Sequence, residues 1–481
     1  MKINKAWYRD KLYACWLGKN IGGTLGAPYE GTTKTLDVKG YKTKPGEPTP
    51  NDDLDLQLLW LYVLECEGAR NLNQNMLAEY WIDWIPPNWN EYGIAKANLR
   101  VGLLPPLSGE VENERWQTSN GAWIRSEIWA AMAPFFSDIA MKYAAMDAMV
   151  DHGIGEGTYA EMFTAALQSA AYYESNIRKL LEIALAKIPS DCRIAKAVRL
   201  VIECYERGED YLEVREKLVQ QSRDIGMFQA PANIGFVVIG LLYGEGDFKK
   251  SLIYTVNCGD DTDCTGATVG ATLGIIGGTK IIPEDWREYV GDRIVMVALN
   301  GQGTYHLPQS CTELTDRIIA VMPSLLKEND VSVELVDEDT ELDEGIFERY
   351  NRKTADEIID MGKYSYEILN YAALTARVEL LDSPRIAPFE KRRVRIELKN
   401  RYNNAKRLEL TPYLPEGWKM TLSQKSVMLP MKVNQSKYGD PCIVTLEVEA
   451  GEHTESVNFA YLQLSSELFV QPVMLPIIFV G

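Results

Sequence analysis

Histidine is scarce in this chain of 481 residues, which contains only His152, His306 and His453. Because zinc and iron centres draw heavily on imidazole ligands, this scarcity nearly excludes a histidine-rich centre of either metal. The eight cysteines are scattered and form no C-x-x-C pair. That distribution argues against a disulfide framework and favours buried thiols in a reducing compartment, so we expect a cytoplasmic protein.

Long apolar runs are also missing. The longest, Cys264–Gly278, is too short and too rich in threonine to cross a membrane. The first ten residues are polar and lack the apolar core of a signal peptide. We therefore expect no membrane partner and no leader sequence.

Basic residues are outnumbered, with 50 Lys and Arg against 68 Asp and Glu and a formal net charge of −18. A nucleic acid partner is not expected, because its phosphates require a basic surface. What is present is typical of a globular protein with a sizeable core, at 46% hydrophobic and 25% charged residues. The length indicates two or three domains, and nothing in the composition indicates an oligomeric state.

The apolar pattern changes character along the chain. Residues 1–325 show mainly helical periodicity, broken by loops rich in proline and glycine. Residues 326–364 are polar and acidic and are expected to form a solvated connector. From 365 to 481 the pattern alternates, and about seven short strands predict an immunoglobulin-like β-sandwich. The predicted fold is thus multidomain, with an all-α domain followed by a β-sandwich.

Two acidic turns stand out in the helical region. Gly259–Cys264 reads Gly-Asp-Asp-Thr-Asp-Cys, and Asn51–Asp55 reads Asn-Asp-Asp-Leu-Asp just before a helix. Carboxylates this close repel one another, and a divalent cation with oxygen ligands removes that cost. The alternative is that each turn only caps its helix and complements the helix dipole.

Glycine recurs every four residues on two helices, at 18, 22 and 26 and again at 266, 270 and 274. Glycine in a helix interior costs about 1 kcal/mol per residue, so such a stripe indicates close helix–helix packing. Packing with adjacent ends would bring Glu30 toward the acidic turns.

Aromatic residues are concentrated near the start of the chain, where nine of the eleven tryptophans lie between 7 and 129. Trp89 and Tyr92 lie in a dense aromatic loop and are candidates to stack on a base or a sugar face. Ordinary core and loop packing is the alternative for each ring.

Five segments resemble motifs of the ADP-ribosylglycohydrolase family, and they follow one another along the chain in the family's order. Gly259–Cys264 is similar to the family's late motif Gly-(Gly/Asp)-Asp-Thr-Asp-Thr, and Asn51–Leu54 to its early motif Thr-Asp-Asp-Thr. Ala14–Glu30 is similar to its glycine-rich first helix and the acidic residue that follows. Ser119–Arg125 and Asp151–Gly157 resemble its Gly/Arg and histidine segments.

The resemblance implies an all-α catalytic domain with two Mg²⁺ ions, replaced by Mn²⁺ in some members. It implies cleavage of an N- or O-glycosidic bond at the anomeric carbon of a ribose, with an ADP-ribosyl group on a protein or small molecule as the leading substrate. By motif position the implied metal ligands are Asn51, Asp52, Asp53, Asp261, Asp263 and Cys264. The candidate catalytic carboxylates are Glu30, Asp53 and Asp261. The candidate substrate-binding residues are Asn120, Gly121, Arg125, His152, Trp89 and Tyr92.

Two positions depart from the family pattern. Cys264 stands where the family has a threonine, and a thiol is a poor ligand for Mg²⁺. Asn51 replaces another threonine but keeps a carbonyl oxygen. These departures leave open a non-catalytic protein that binds ADP-ribose or a related sugar. The appended β-sandwich and the aromatic loop leave open a second alternative, a hydrolase of another furanoside or carbohydrate.

Overall fold

The computed structural model describes residues 1–300, 306–368, 374–432 and 438–481. The chain divides into two units, of which the first combines Met1–Lys96 with Gly109–Asp360 and the second combines Ala97–Ser108 with Met361–Gly481. The first unit is mainly helical and the second holds antiparallel sheets, which confirms the predicted fold class. The finer boundaries at 325 and 364 stay predictions.

Helices make up most of the first unit. In chain order the described helices are α1 (Lys5–Gly26), α2 (Asp52–Glu67), α3 (Gln74–Trp84), α4 (Asn90–Arg100), α5 (Leu107–Glu110), α6 (Glu127–Met132), α7 (Ser137–Ala148), α8 (Glu156–Ala170), α9 (Ile177–Leu185), α10 (Arg193–Glu206), α11 (Tyr211–Gln221), α12 (Ala230–Tyr243), α13 (Phe248–Asn257), α14 (Thr262–Gly277), α15 (Glu284–Val290), α16 (Cys311–Glu328), α17 (Glu344–Arg349) and α18 (Ala355–Ile359). Short 3₁₀ turns cover Ala27–Tyr29, Trp123–Arg125 and Gly278–Ile281.

Side-chain caps define where several helices begin. Asn73 accepts hydrogen bonds from two backbone N–H groups of α3, Asp247 accepts from Lys250 N, and Ser310 accepts from Glu313 N. Each cap satisfies a donor that a helix start would otherwise leave unpaired.

The two glycine-striped helices, α1 and α14, pack against each other in antiparallel directions. An ideal Cβ would lie about 2 Å from a backbone oxygen of the other helix at three successive levels: Gly18 against Gly270 (2.1 Å), Gly22 against Gly266 (2.0 Å) and Gly26 against Thr262 (2.1 Å). Only glycine permits this approach. As a result the C-terminal end of α1 lies beside the N-terminal end of α14, as the glycine spacing predicts.

The acidic stretch that was expected to act as a connector contributes contacts to the first unit. Its strand β2 (Glu334–Val336) pairs in parallel with β1 (Lys2–Asn4). The carboxylate of Asp138 accepts hydrogen bonds from the backbone N–H groups of Arg352 and Lys353. Much of this stretch is therefore held against the helical body.

The second unit contains two antiparallel sheets. Five strands follow the order β3-β4-β5-β9-β7, and four follow the order β11-β10-β6-β8. Their bounds are β3 (Ser365–Ile368), β4 (Leu374–Leu380), β5 (Lys391–Asn400), β6 (Lys406–Tyr413), β7 (Lys419–Leu422), β8 (Ser426–Leu429), β9 (Cys442–Glu449), β10 (Val457–Ser465) and β11 (Val473–Val480). Alternate residues of β4 and β10 are buried, which is consistent with the predicted β-sandwich. The described strands of this unit number nine rather than about seven. β3, β7 and β8 have only four residues each, which is too short for an alternation to be recognised.

Among the residues that the structure describes, no helix combines the length and the apolar character that a membrane span requires.

Candidate metal and substrate site

A cavity of about 320 Å³ lies in the first unit, where α1 ends and α14 begins. Glu30, Asp52, Asp261, Asp263 and Cys264 contribute to its lining. Its volume falls at the small end of the range typical of small-molecule sites. Both acidic turns therefore reach one cavity, although about 200 residues separate them in the sequence.

The described residues contain three groups of candidate metal ligands, of which one consists of Glu91, Asp151 and His152 and the other two share Asp263. Asp53, Asp263 and Cys264, here called the sulfur-containing triad, place their ligand atoms within 4.8 Å of one another. Glu30, Asp261 and Asp263, here called the all-oxygen triad, do the same. Each triad has the donor atoms to hold a metal ion.

The chemistry of these donors fits divalent cations. Asp53 is fully buried, and its Oδ2 atom has no hydrogen-bond partner within the described ranges. The same holds for Oδ1 of Asp263, which is 7% exposed. A buried carboxylate oxygen without a partner carries a large desolvation cost, which a bound cation would remove.

Electrostatic repulsion within the cavity is strong. Burial and, after it, the charge of Asp263 together raise the pKa of Asp52 from 3.8 to about 7. The pKa of Glu30 is raised from 4.5 to about 7, first by partial desolvation and then by Asp263 and Asp52. A divalent cation would favour the ionised carboxylates and reverse these shifts.

Lys19 is a functional candidate that the sequence reasoning missed. Its side chain is fully buried in α1, and Nζ lies 3.0 Å from Glu127 and donates to Ile124 O at 2.7 Å. Burial lowers the pKa of Lys19, but Glu127 and Asp53 outweigh that effect and raise it above the ordinary value. Its charge thus partly offsets the carboxylate of Asp53. The sequence feature that could have identified Lys19 is a lysine within an apolar helix that carries a glycine stripe.

Asn51 occupies the N-cap position of α2. Its Oδ1 accepts a hydrogen bond from Asp53 N at 2.8 Å, so the carbonyl oxygen is already engaged in capping. An added Cβ at Gly23 would lie 2.0 Å from Nδ2 of Asn51, so that glycine leaves room for the amide. A metal-ligand role for Asn51 stays a prediction.

Two other acidic residues of the turns do not line the cavity. Their carboxylates accept hydrogen bonds from the backbone of neighbouring loops. Oδ2 of Asp55 accepts hydrogen bonds from the backbone N–H groups of Val297 and Ala298, at 2.5 and 2.6 Å. Asp260 has a positive φ of 66°, and its Oδ1 accepts from Phe228 N at 2.8 Å. Phe228 in turn lines the cavity, so Asp260 positions part of the wall.

Asn120 connects the substrate side of the cavity to the acidic side. Its Nδ2 donates to Asp261 Oδ2 at 2.7 Å, and its Oδ1 accepts from Trp123 Nε1 at 3.0 Å. Both ends of the amide are therefore held, which fixes the orientation of Asp261.

Gly121, Trp89 and Tyr92 also line the cavity, and their role in substrate binding stays a prediction. Trp89 is 47% exposed, Tyr92 is buried, and their ring centroids lie 6.2 Å apart. Glu91, which the sequence reasoning did not select, lines the same wall. An added Cβ at Gly121 would lie 2.1 Å from Oε1 of Glu91, so only glycine allows this carboxyl to approach.

The structure does not bring Arg125 or His152 to the cavity. Arg125 is fully buried, pairs with Asp151 at 2.8 Å and donates to the carbonyl oxygen of Gly121. His152 is also fully buried, with Nε2 3.0 Å from Ser119 Oγ and Nδ1 3.0 Å from Asp151. Because Gly121 and Ser119 line the cavity, both side chains support the wall from behind.

The fold and the cavity define a protein whose helical unit carries a carboxylate-rich candidate metal site. Residues 4–322 match the ADP-ribosylglycohydrolase family, and the chain belongs to that family. Membership suggests glycosyl hydrolase activity.

Three proteins are similar to this chain at low sequence identity. A protein of Archaeoglobus fulgidus, described only as uncharacterized, is 24% identical over 302 residues, which cover 59% of this chain and 92% of that protein. An ADP-ribosylglycohydrolase-related protein complex of known structure is 19% identical over 67% of this chain and 99% of its own, with a TM-score of 0.45. A FixG-related protein from Vibrio parahaemolyticus is 8% identical over 23% of this chain and 98% of its own, with a TM-score of 0.19.

Proposed function

We propose that this protein is a glycosyl hydrolase that depends on divalent cations and cleaves the bond between the anomeric carbon of an ADP-ribosyl group and its N- or O-linked partner. The observation that supports this proposal best is the pair of triads sharing Asp263 beside a cavity with an aromatic wall. Family membership supports the same reaction class.

The place of each residue in the cavity indicates its role in metal binding or in proton transfer. When bound, Mg²⁺ or Mn²⁺ would supply Lewis acidity toward the oxygen atoms of the sugar and would lower the pKa of water. Asp53 and Asp261 hold the cations, and Asn120 keeps the Asp261 carboxylate in place. Glu30 lies at the exposed edge of the cavity and is suited to move a proton between water and the leaving group.

The substrate side offers stacking surfaces and polar groups. The ring of Trp89 is partly exposed at the cavity and can cover a base or a sugar face. Backbone N–H groups near Gly121 are candidates to receive an oxygen-rich group such as a phosphate. These roles follow the predicted substrate-binding set, without Arg125 and His152 as contact residues.

The decisive test compares the products released from different substrates. Full-length protein is incubated with ADP-ribosylated protein, with a small ADP-ribosyl compound and with simple pentofuranosides, each with Mg²⁺, Mn²⁺ or chelator. Release of free ADP-ribose that stops with chelator is the expected result. Activity that survives chelation unchanged would contradict the metal mechanism.

Glu30→Gln tests whether turnover needs the Glu30 carboxylate, either to move a proton or to hold a cation in the all-oxygen triad. Because Glu30 is exposed, its replacement should leave the fold intact and lower kcat by about 100-fold or more, with a small change in KM. Glu47→Gln, another exposed carboxylate of the first unit, serves as the matched control and should behave as wild type. Equal kcat values for the two variants would remove Glu30 from the mechanism.

Two alternative functions also have support, and the same tests distinguish them from the proposed function. The aromatic wall would also suit a different furanoside, in which case a free pentose and not ADP-ribose is released. The thiol of Cys264 in the ligand set favours a non-catalytic binder, in which case ADP-ribose binds without turnover.

A further inference from the structure

The sulfur-containing triad differs in chemistry from the all-oxygen triad beside it. Asp53, Asp263 and Cys264 offer two carboxylate oxygens and one sulfur, and all three residues are more than nine-tenths buried. Glu30 and Asp261, which complete the other triad, add only oxygen. Two adjacent positions built from different donor atoms are expected to prefer different ions.

The buried oxygens of the sulfur-containing triad are poorly satisfied by the protein itself. Oδ1 of Asp53 accepts a hydrogen bond from the Cys264 thiol at 3.2 Å, and a thiol is a weak donor. Oδ2 of Asp53 and Oδ1 of Asp263 have no hydrogen-bond partner in the part of the chain that the structure describes. An ion that binds oxygen and sulfur together would compensate all three side chains.

We propose that the sulfur-containing triad binds a thiophilic divalent cation of the zinc class, while the all-oxygen triad binds a hard cation such as Mg²⁺ or Mn²⁺. Thiolate ligands select zinc-class ions, whereas Mg²⁺ takes oxygen ligands and dehydrates reluctantly. Three protein ligands with one open position are also the pattern of zinc sites that do chemistry. The inference rests on the metal centre of the proposed function and deepens it by assigning unlike ions.

Binding includes one covalent change, and its balance is simple. The S–H bond of Cys264 breaks, a metal–sulfur bond forms, and the proton leaves to the solvent. No oxidant or reductant is required.

Cobalt(II) is the probe, because a thiolate bound to Co²⁺ gives a charge-transfer band in the near ultraviolet that oxygen ligands do not give. Chelator-treated full-length protein is titrated with Co²⁺ as wild type, as Cys264→Ser, and as Cys66→Ser. Serine keeps the size of the side chain and supplies a hard oxygen donor. Cys66 is an exposed thiol on α2, outside both triads, and is the matched control for adventitious binding.

Wild type and Cys66→Ser should show the band, and Cys264→Ser should lose it while still binding Co²⁺ by calorimetry. Equimolar Zn²⁺ should remove the wild-type band, whereas a large excess of Mg²⁺ should leave it in place. A band of equal strength in Cys264→Ser, no band in wild type, or removal by Mg²⁺ would overturn the proposal.

A spectroscopic measurement on wild type alone keeps the test decisive if Cys264→Ser does not fold. X-ray absorption at the cobalt edge should detect one sulfur in the coordination shell, and a shell of oxygen alone would refute the inference. The outcome is separable from that of the glycoside assay. If cobalt is bound by sulfur but no glycoside is hydrolysed, only the proposed function is contradicted. If a glycoside is hydrolysed but cobalt has no sulfur ligand, only this inference is contradicted.

Discussion

The carboxylates of the cavity are linked through their charges, so each one titrates in the field of its neighbours. Asp52 is the clearest example, because burial and the charge of Asp263 raise its pKa from 3.8 to about 7. Such a carboxyl keeps its proton in the folded chain at pH values where the unfolded chain has released it. Stability of the metal-free protein is thereby tied to pH and to cations.

We expect the free energy of unfolding of the metal-free protein to fall as pH rises from 3.8 to about 7, because over this interval the folded state of Asp52 holds a proton that the unfolded state lacks. Mg²⁺ or Mn²⁺ should flatten this decline by favouring the ionised carboxylates. Chemical denaturation across the interval, with chelator or with cation, measures both effects.

Asp52→Asn supplies the control for that prediction. The amide has no proton to release, so the decline with pH should be shallower in this variant. Asp37→Asn, which removes an exposed carboxylate, should follow wild type. An unchanged slope in Asp52→Asn would assign the effect to other groups.

Similar acidic residues in the two turns proved to have different roles, and local sequence could not separate them. Asp261 and Asp263 line the cavity, as their positions in the motif suggest. Asp260 lies in the same turn as these two residues, and Asp55 lies in the other turn. Both carboxylates accept hydrogen bonds from backbone segments that are remote in sequence. Only the tertiary fold brings those backbone donors near. The sequence alone therefore could not show which acidic residues line the cavity and which hold a loop in place.

At the scale of elements, the contact between α1 and α14 is the part of the site that sequence predicts best. A glycine interval of four residues is a local pattern, and close packing is its usual cause. The level at which the helices meet was not predictable from spacing alone. The structure places Gly26 against Thr262, which puts the end of one stripe directly beside the acidic turn.

Gly26→Ala and Gly274→Ala form a matched pair that separates packing from metal binding. Their added Cβ atoms would lie 2.1 and 2.2 Å from backbone oxygens, so the clashes are nearly equal. Helix propensity alone would stabilise each variant by about 1 kcal/mol, so a net loss of about 2 kcal/mol or more would report the clash. Denaturant unfolding measures this loss.

Only the variant near the acidic turn should also disturb the ligands. Gly26→Ala is expected to weaken Mn²⁺ binding by about tenfold or more, since a shift of ligand atoms degrades coordination, and Gly274→Ala to leave it near wild type. Gly40→Ala, where an added Cβ meets nothing within 4 Å, controls for the substitution itself. Equal losses of Mn²⁺ affinity in the two helix variants would show that the helix pair responds as one rigid body.

At the scale of the whole molecule, alternating apolar residues predicted the β-sandwich, but one part of its unit could not be found that way. Ala97–Ser108 precedes the rest of the second unit by more than 250 residues, yet it belongs to that unit. It joins the end of α4 to the start of α5 through a segment predicted as a loop, and periodicity carries no information about which distant partner such a segment meets. The added Cβ of Gly102 would lie 2.8 Å from Cζ of Phe459 on β10, which shows how closely the two segments of this unit approach.

This membership predicts the consequence of cutting the chain between the two predicted domains. A chain ending at Asp360 keeps Ala97–Ser108 but loses the rest of the second unit, so the backbone at Gly102, whose added Cβ would lie 2.8 Å from Phe459 in the intact protein, should become accessible together with its apolar neighbours. We expect the shortened chain to aggregate or to melt well below the full-length protein, because newly exposed apolar surface favours association. Size-exclusion chromatography and thermal unfolding check this, with full-length Phe459→Ala as a milder control that removes one contact and keeps both sheets. A shortened chain that stays monomeric and melts with wild type would show that Ala97–Ser108 gains nothing from the rest of its unit.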